Sequence, residues 1–157
     1  MKLGYIVYIL FIGLFITSCG QPSTVAVIQT NIIVIDTFEN GAKKTTLEYQ
    51  KDDTAYAMRT DYYISGAKYI QGKNFHGLRN GEWSAWTEDG KLLTTGNYLN
   101  GIEDGQKIVY YPNGNKRYEG LFSKGNRVEL WIFWNEDGTI QKSIDYNLIN
   151  SKVSNPK

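Results

Sequence analysis

The sequence predicts an all-β chain, built as one elongated, twisted antiparallel sheet of repeated β-hairpins with a 24-residue period. Three observations predict it. Aromatic rings recur in one register, at Tyr62, Trp86, Tyr110 and Trp134. Glycines recur in others: Gly66, Gly90, Gly114 and Gly138, then Gly72, Gly96 and Gly120, then Gly77, Gly101 and Gly125. Acidic or amide residues stand directly before several of them, as in Asp89-Gly90, Asn113-Gly114 and Asp137-Gly138, which is the chemistry of tight turns. A fixed period of this size calls for a repeat architecture, in which each unit buries its apolar surface only against its neighbours.

The amino terminus stands apart. Met1-Lys2 is a short positive start, and Leu3 to Ile16 is an almost unbroken apolar run. At about 14 residues it falls short of the roughly 20 that cross a bilayer and suits the apolar core of a secretory signal. It ends at Ile16-Thr17-Ser18-Cys19, and small residues before a lone cysteine resemble the lipobox of bacterial lipoproteins. That resemblance implies a signal peptide over 1–18, cut in front of an acylated Cys19, with a polar tether over 19–24. The expected location is the bacterial cell envelope, lipid-anchored, on the outer membrane facing the periplasm. Lys+Arg number 17 and Asp+Glu 16, so losing Lys2 with the leader balances the side-chain charge. No basic tract marks a nucleic-acid partner, and a single cysteine allows no disulfide within the chain.

The repeat domain is expected over 25–146. Val25 to Phe38 is rich in β-branched residues and reads as one or two strands. Asn40-Gly41 signals a hairpin, and Phe38 to Gly41 looks like a degenerate first copy, out of step by a residue. Thr45 to Tyr49 returns, Lys51 to Asp53 turns, and Ala55 to Ile64 forms the next strand. Regular copies follow, each with two strands, such as Glu82–Thr87 and Lys91–Tyr98. Because the period is even, even-numbered positions are expected to share one aromatic, partly buried face. Trp83, Trp131 and Phe133 then fall on the wetter face and become the candidate binding surface. Glycines 72, 96 and 120 lie inside second strands, where they weaken pairing. Room for a ring from a paired strand is the expected compensation. Residues 147–157 read as a polar tail.

Candidate chemistry is sparse. The single histidine, His76, sits at a turn, and no serine stands in a nucleophile-elbow context. Cysteine and histidine spacing gives no metal site. The pairs Glu88-Asp89, Glu103-Asp104 and Glu136-Asp137 could hold calcium or serve glycoside hydrolysis, but they recur with the turns, as solvated loop residues do. No catalytic residue, metal or cofactor is expected.

Gly81, Trp83, Trp86, Gly90, Gly96, Tyr98, Gly101 and Gly105, followed by Tyr110, Gly114, Gly120, Phe122 and Gly125, resemble MORN repeats, and more closely the YwqK family. The resemblance implies stacked hairpins in a scaffold, membrane-associated or dimerising module. The YwqK group carries a label as the antitoxin half of toxin–antitoxin pairs; a cytoplasmic antitoxin has no use for a lipoprotein leader, which leaves open the binding of an exported toxin, as an immunity protein does. The expected function is a non-enzymatic protein-binding module held to the membrane through Cys19. The alternative is a carbohydrate or cell-wall module using exposed aromatic rings.

Overall fold

The computed structural model describes residues 30–50 and 53–154. The leader, Cys19, the tether, the start of the first expected strand, Lys51-Asp52 and residues 155–157 lie outside them. Among the described residues ten strands, β1 (Thr30–Thr37), β2 (Lys43–Gln50), β3 (Asp53–Tyr62), β4 (Lys68–Phe75), β5 (Leu78–Trp86), β6 (Leu92–Leu99), β7 (Ile102–Tyr110), β8 (Lys116–Ser123), β9 (Asn126–Trp134) and β10 (Ile140–Asp145), form one sheet in sequence order. Every neighbouring pair is antiparallel. At about 4.8 Å between strands, the sheet runs roughly 43 Å from β1 to β10.

Two kinds of turn alternate, one at each end of the strands. At one end Phe38, Tyr63, Thr87, Tyr111 and Asn135 each open a four-residue turn. Each accepts from the glycine three residues on and donates to the carbonyl four residues on. Gly66, Gly90, Gly114 and Gly138 close four of these turns, with φ between 85° and 90°. At the other end the turns have two residues, His76-Gly77, Asn100-Gly101 and Lys124-Gly125. Both residues of each hold positive φ, which gives the twist that two-residue hairpins need.

The expectation about faces is corrected here. A two-residue turn pairs an odd-numbered residue with an even-numbered one, as in Phe75↔Leu78. The four-residue turns carry a bulge that restores the same rule further along, as in Ala85↔Thr94. From β3 onward, each face therefore takes odd positions from one strand and even positions from the next. The chain of partners Arg59↔Gly72↔Trp83↔Gly96↔Lys107↔Gly120 runs along one face. Thr60↔Gln71↔Ser84↔Thr95↔Ile108↔Glu119↔Ile132 runs along the other. Tyr62, Trp86, Tyr110 and Trp134 lie on this second face near the four-residue turns. They occupy alternate strands, about 10 Å apart, so they form a spaced row rather than a stacked ladder. All four are half-buried.

A second difference lies at the carboxyl end. Residues Tyr146–Ser154 form a helix, α1, where a polar tail was expected. Asp145 Oδ1 accepts from the Asn147 amide at 2.9 Å, an N-cap of the usual kind. Asn147 Oδ1 accepts from the Glu129 amide, and Asn150 Nδ2 donates to the Arg127 carbonyl. In the inner copies the equivalent carbonyls of Arg79 and Glu103 receive the amides of Gly101 and Gly125 from the next turn. The helix thus supplies from a side chain the donor that a further hairpin would have given, as a terminal cap of a repeat array does.

Candidate functional site

Trp83 and Trp131, expected on a wet surface, are the buried centre of the sheet, at 3 % and 0 % exposure. The reason lies across the strand. A Cβ built on Gly72 would lie 2.3 Å from the Trp83 ring, and one on Gly120 2.1 Å from the Trp131 ring. Each indole lies flat on a glycine backbone, and its Nε1 donates to the carbonyl just beyond, Lys73 at 2.9 Å and Leu121 at 3.1 Å. The ring leans over the strand before its own, β4 for Trp83 and β8 for Trp131, and not over the strand that follows. Rings lie over Gly72 and Gly120 as expected, but Gly96 is covered by the Lys107 stem and not by a ring. A glycan-stacking surface built on Trp83 and Trp131 is excluded by their burial.

Each tryptophan carries an arginine on its outer side. The Arg79 guanidinium lies 4.4 Å from the Trp83 ring and 5.2 Å from the Tyr98 ring, and donates to Tyr98 Oη at 3.3 Å. Arg127 repeats this on Trp131 and Tyr146, at 4.5 and 5.6 Å, donating to Tyr146 Oη at 2.9 Å. Arg79 is half-buried and Arg127 exposed, and because cation–π contacts strengthen with burial, the first of the two is the stronger. Tyr118, Phe122 and Phe133 close around Trp131. Phe133 is itself half-buried, between Tyr118 and the Lys142 ammonium. Between the two stacks, Lys107 replaces tryptophan and Glu103 replaces arginine, joined by a 3.1 Å ion pair over Gly96.

Two of the acid pairs sit at the turns, as expected, whereas Glu103 and Asp104 lie within β7, where Glu103 pairs with Lys107. Asp89 accepts from the Thr87 hydroxyl and pairs with Lys91; the Thr87 hydrogen bond, then Lys91, holds its carboxyl below the ordinary aspartate range. Asp137 accepts from the Thr139 amide and hydroxyl, which lower its pKa in the same way. Glu119 raises the Lys116 ammonium through their 2.7 Å contact. Among the described residues, no three His, Cys, Asp or Glu side chains gather where a metal could bind. His76 holds positive φ in its turn and packs edge-on against Phe75.

Open surface collects at the amino-terminal half, on the face opposite the tryptophans. Tyr56 and Phe75 pack with ring centroids 4.6 Å apart and planes tilted by 33°. Phe75 and Leu78 flank one two-residue turn, and Leu99 and Ile102 flank the next. Leu78 reaches Gly101, and Ile102 reaches Gly125. Tyr56, Leu78, Leu99 and Ile102 are between 44 % and 54 % exposed. This apolar stripe ends where Ser123 and Asn126 take the next equivalent places. Beside it a groove of about 640 Å³ is lined by Tyr56, Met58, Lys73, Glu48, Gln50 and Asp53, among others. Sequence reasoning missed the stripe because it sought rings; its signal was the apolar residue on either side of each two-residue turn.

Behind this groove, on the tryptophan face, Asn74 Oδ1 is buried without a hydrogen-bond partner, a state that costs about 1–3 kcal/mol.

Residues 79–100 and 103–124 match the family model described as a MORN repeat variant. They cover the two copies from Arg79 to Lys124, so the chain is MORN-like over two adjacent repeats. No curated protein matches it.

Proposed function

We propose that the chain is a non-enzymatic binding module, tethered to the envelope membrane through a lipidated Cys19, that engages a protein partner along the apolar stripe. The observation that carries this reading is the row Tyr56, Phe75, Leu78, Leu99 and Ile102. It joins apolar side chains of three successive hairpins on one face, mostly about half exposed. Contiguous exposed apolar surface rimmed by polar residues marks interaction sites. The groove beside it, with Glu48, Asp53 and Lys73, supplies the polar rim that sets orientation. The MORN-like repeats support a binding role, since that resemblance implies a scaffold or membrane-associated module. The leader ending at Cys19 supports the envelope and, with the YwqK likeness, an exported toxin as partner in an immunity role.

Leu99→Asp/Ile102→Asp tests it. The intact chain, purified from its own envelope with bound proteins, should carry a partner that the double variant loses while keeping its thermal transition. An identical set of bound proteins for both chains would overturn the assignment of the stripe. Labelled fatty acid should be incorporated by the intact chain and lost in Cys19→Ala; label retained there would remove the anchor.

A further inference from the structure

The sheet ends in two edges, and only one of them is guarded. Among the described residues, neither the outer side of β1 nor that of β10 pairs with another strand. An open edge presents a row of N–H and C=O groups to any strand that meets it, and proteins blunt such edges with short strands, charges or a covering element. β10 has these devices. It is six residues long, carries Lys142 and Asp145, and runs directly into α1, which fills the docking place of a further turn.

β1 has none of them from Thr30 to Ile35. That stretch holds no charge and no proline, and Ile32-Ile33-Val34-Ile35 is an unbroken β-branched run, a composition that favours strand pairing. Ile32 is 39 % and Ile35 50 % exposed. The first charge, Asp36, is already held by Lys44 at 2.9 Å. Towards β2 the register is regular from Thr30↔Gln50 to Val34↔Thr46, and the bulge comes only beyond Val34. Thr30–Val34 is therefore a regular, uncharged edge.

We propose that two copies of the chain join along this edge, Thr30–Val34 of one pairing antiparallel with Thr30–Val34 of the other about a two-fold axis at Ile32 or Ile33. Three features select a second copy as the occupant. The edge is self-complementary. With Ile33 on the axis, Ile32 of one copy opposes Val34 of the other; with Ile32 on the axis, Thr30 opposes Val34. β-branched side chains pack well against one another on a pleated surface, and no like charges meet in either register. The pairing also closes: because β10 is blunted, each copy spends one edge, which gives a dimer and not a fibre. The tether adds the third feature. Ten residues separate Cys19 from Thr30, a reach of at most roughly 40 Å, so β1 is the strand held nearest the membrane. A short strand pairing is a small interface, in the range of transient contacts, and confining both copies to one membrane raises their effective concentration. This last point rests on the anchored reading above; the chemistry of the edge does not.

The test is disulfide cross-linking of the full chain in the membranes of cells that make it, read as covalent dimer on non-reducing gels. Residues opposed across an antiparallel pair have Cα atoms about 4.5–5.5 Å apart, within disulfide reach. Cysteine is placed singly at Asn31, Ile32 and Ile33, and for comparison at Ile140 on β10, which is 66 % exposed. Either Ile32→Cys or Ile33→Cys should give dimer several-fold above the other positions and above the unaltered chain. Adding Val34→Lys to that variant sets a charge on the edge and should remove the excess, with circular dichroism confirming that the sheet is kept. Equal yields along β1 and at Ile140→Cys, or no dimer above the unaltered chain, would overturn the pairing. A β1 cysteine that links to a different protein and never to a second copy would assign the edge to that protein and overturn it too. Dimer formed where Cys19 takes no fatty acid fails the anchor alone; an acylated chain without dimer fails the pairing alone.

Discussion

At positions 79, 83 and 98 one copy carries Arg, Trp and Tyr, and at 127, 131 and 146 another does the same. The copy between them carries Glu103, Lys107 and Phe122 in the same places. Both versions cover a glycine in the neighbouring strand, one with an indole held flat by its Nε1, the other with an aliphatic stem ending in an ion pair. The two changes are coupled. Losing the ring removes the surface an arginine stacks on, and gaining a lysine makes a carboxylate the natural neighbour. One geometric slot thus accepts either dispersion and cation–π attraction or a partly exposed salt bridge, and these differ in strength. A fully buried tryptophan is worth about 3–5 kcal/mol against alanine, whereas a partly exposed pair contributes about 0.2–1 kcal/mol.

Glycine substitutions separate the slots most sharply. Gly120→Ala and Gly72→Ala place a methyl group about where the indole lies, so the ring must leave. We expect losses of about 3–5 kcal/mol by denaturant unfolding. Gly96→Ala meets the Lys107 stem at 2.9 Å, which can swing aside, and should shift stability by less than about 1 kcal/mol. Equal losses at all three glycines would erase the distinction.

Converting the middle slot tests the coupling. Glu103→Arg alone sets two cations together, and Lys107→Trp alone leaves a carboxylate beside an indole. The double variant should recover about 1 kcal/mol or more relative to the sum of the singles, measured as a double-mutant cycle. Additive singles would show that the two positions are chosen independently.

Salt gives the smallest effect. Raising ionic strength from about 0.01 M to 1 M shortens the screening length from roughly 30 Å to 3 Å. The cost of Lys107→Ala should shrink by a few tenths of a kcal/mol, while that of Trp131→Ala should stay constant. A matching salt dependence at both positions would remove the electrostatic account of the middle copy.

The hairpins were legible because each turn needs its own residues, and Asp89-Gly90, Asn100-Gly101 and Asn113-Gly114 announce theirs directly. The faces were not. Whether Trp83 points inward depends on whether each connection is even or bulged, and a bulge leaves no residue signature by itself. The glycines at 72 and 120 were the readable clue to ring burial, yet which ring covers each required the register. α1 was missed because its cap, Asp145, and its partners, Glu129 and Arg127, are brought together only by the completed sheet. Aligning Ala55 and Asn74 with Arg79 and Tyr98 shows two groups missing from the first copy, but only the fold shows that the Asn74 oxygen is buried without a partner.

The helix after β10 bears on how such a chain can change length. Once Asn150 supplies the Arg127 carbonyl with its donor, the place where the next two-residue turn would dock is taken, although the outer edge of β10 stays unpaired among the described residues. Growth or shrinkage by hairpins of the same kind then happens upstream, with the closing segment carried along unchanged. The tryptophan and lysine slots alternate, so the unit that can be copied or lost without a mismatched junction is a pair of repeats, 48 residues from Arg79 to Arg127. The span of the sheet is then set in steps of four strands, roughly 19 Å each, like the divisions on a measuring rod.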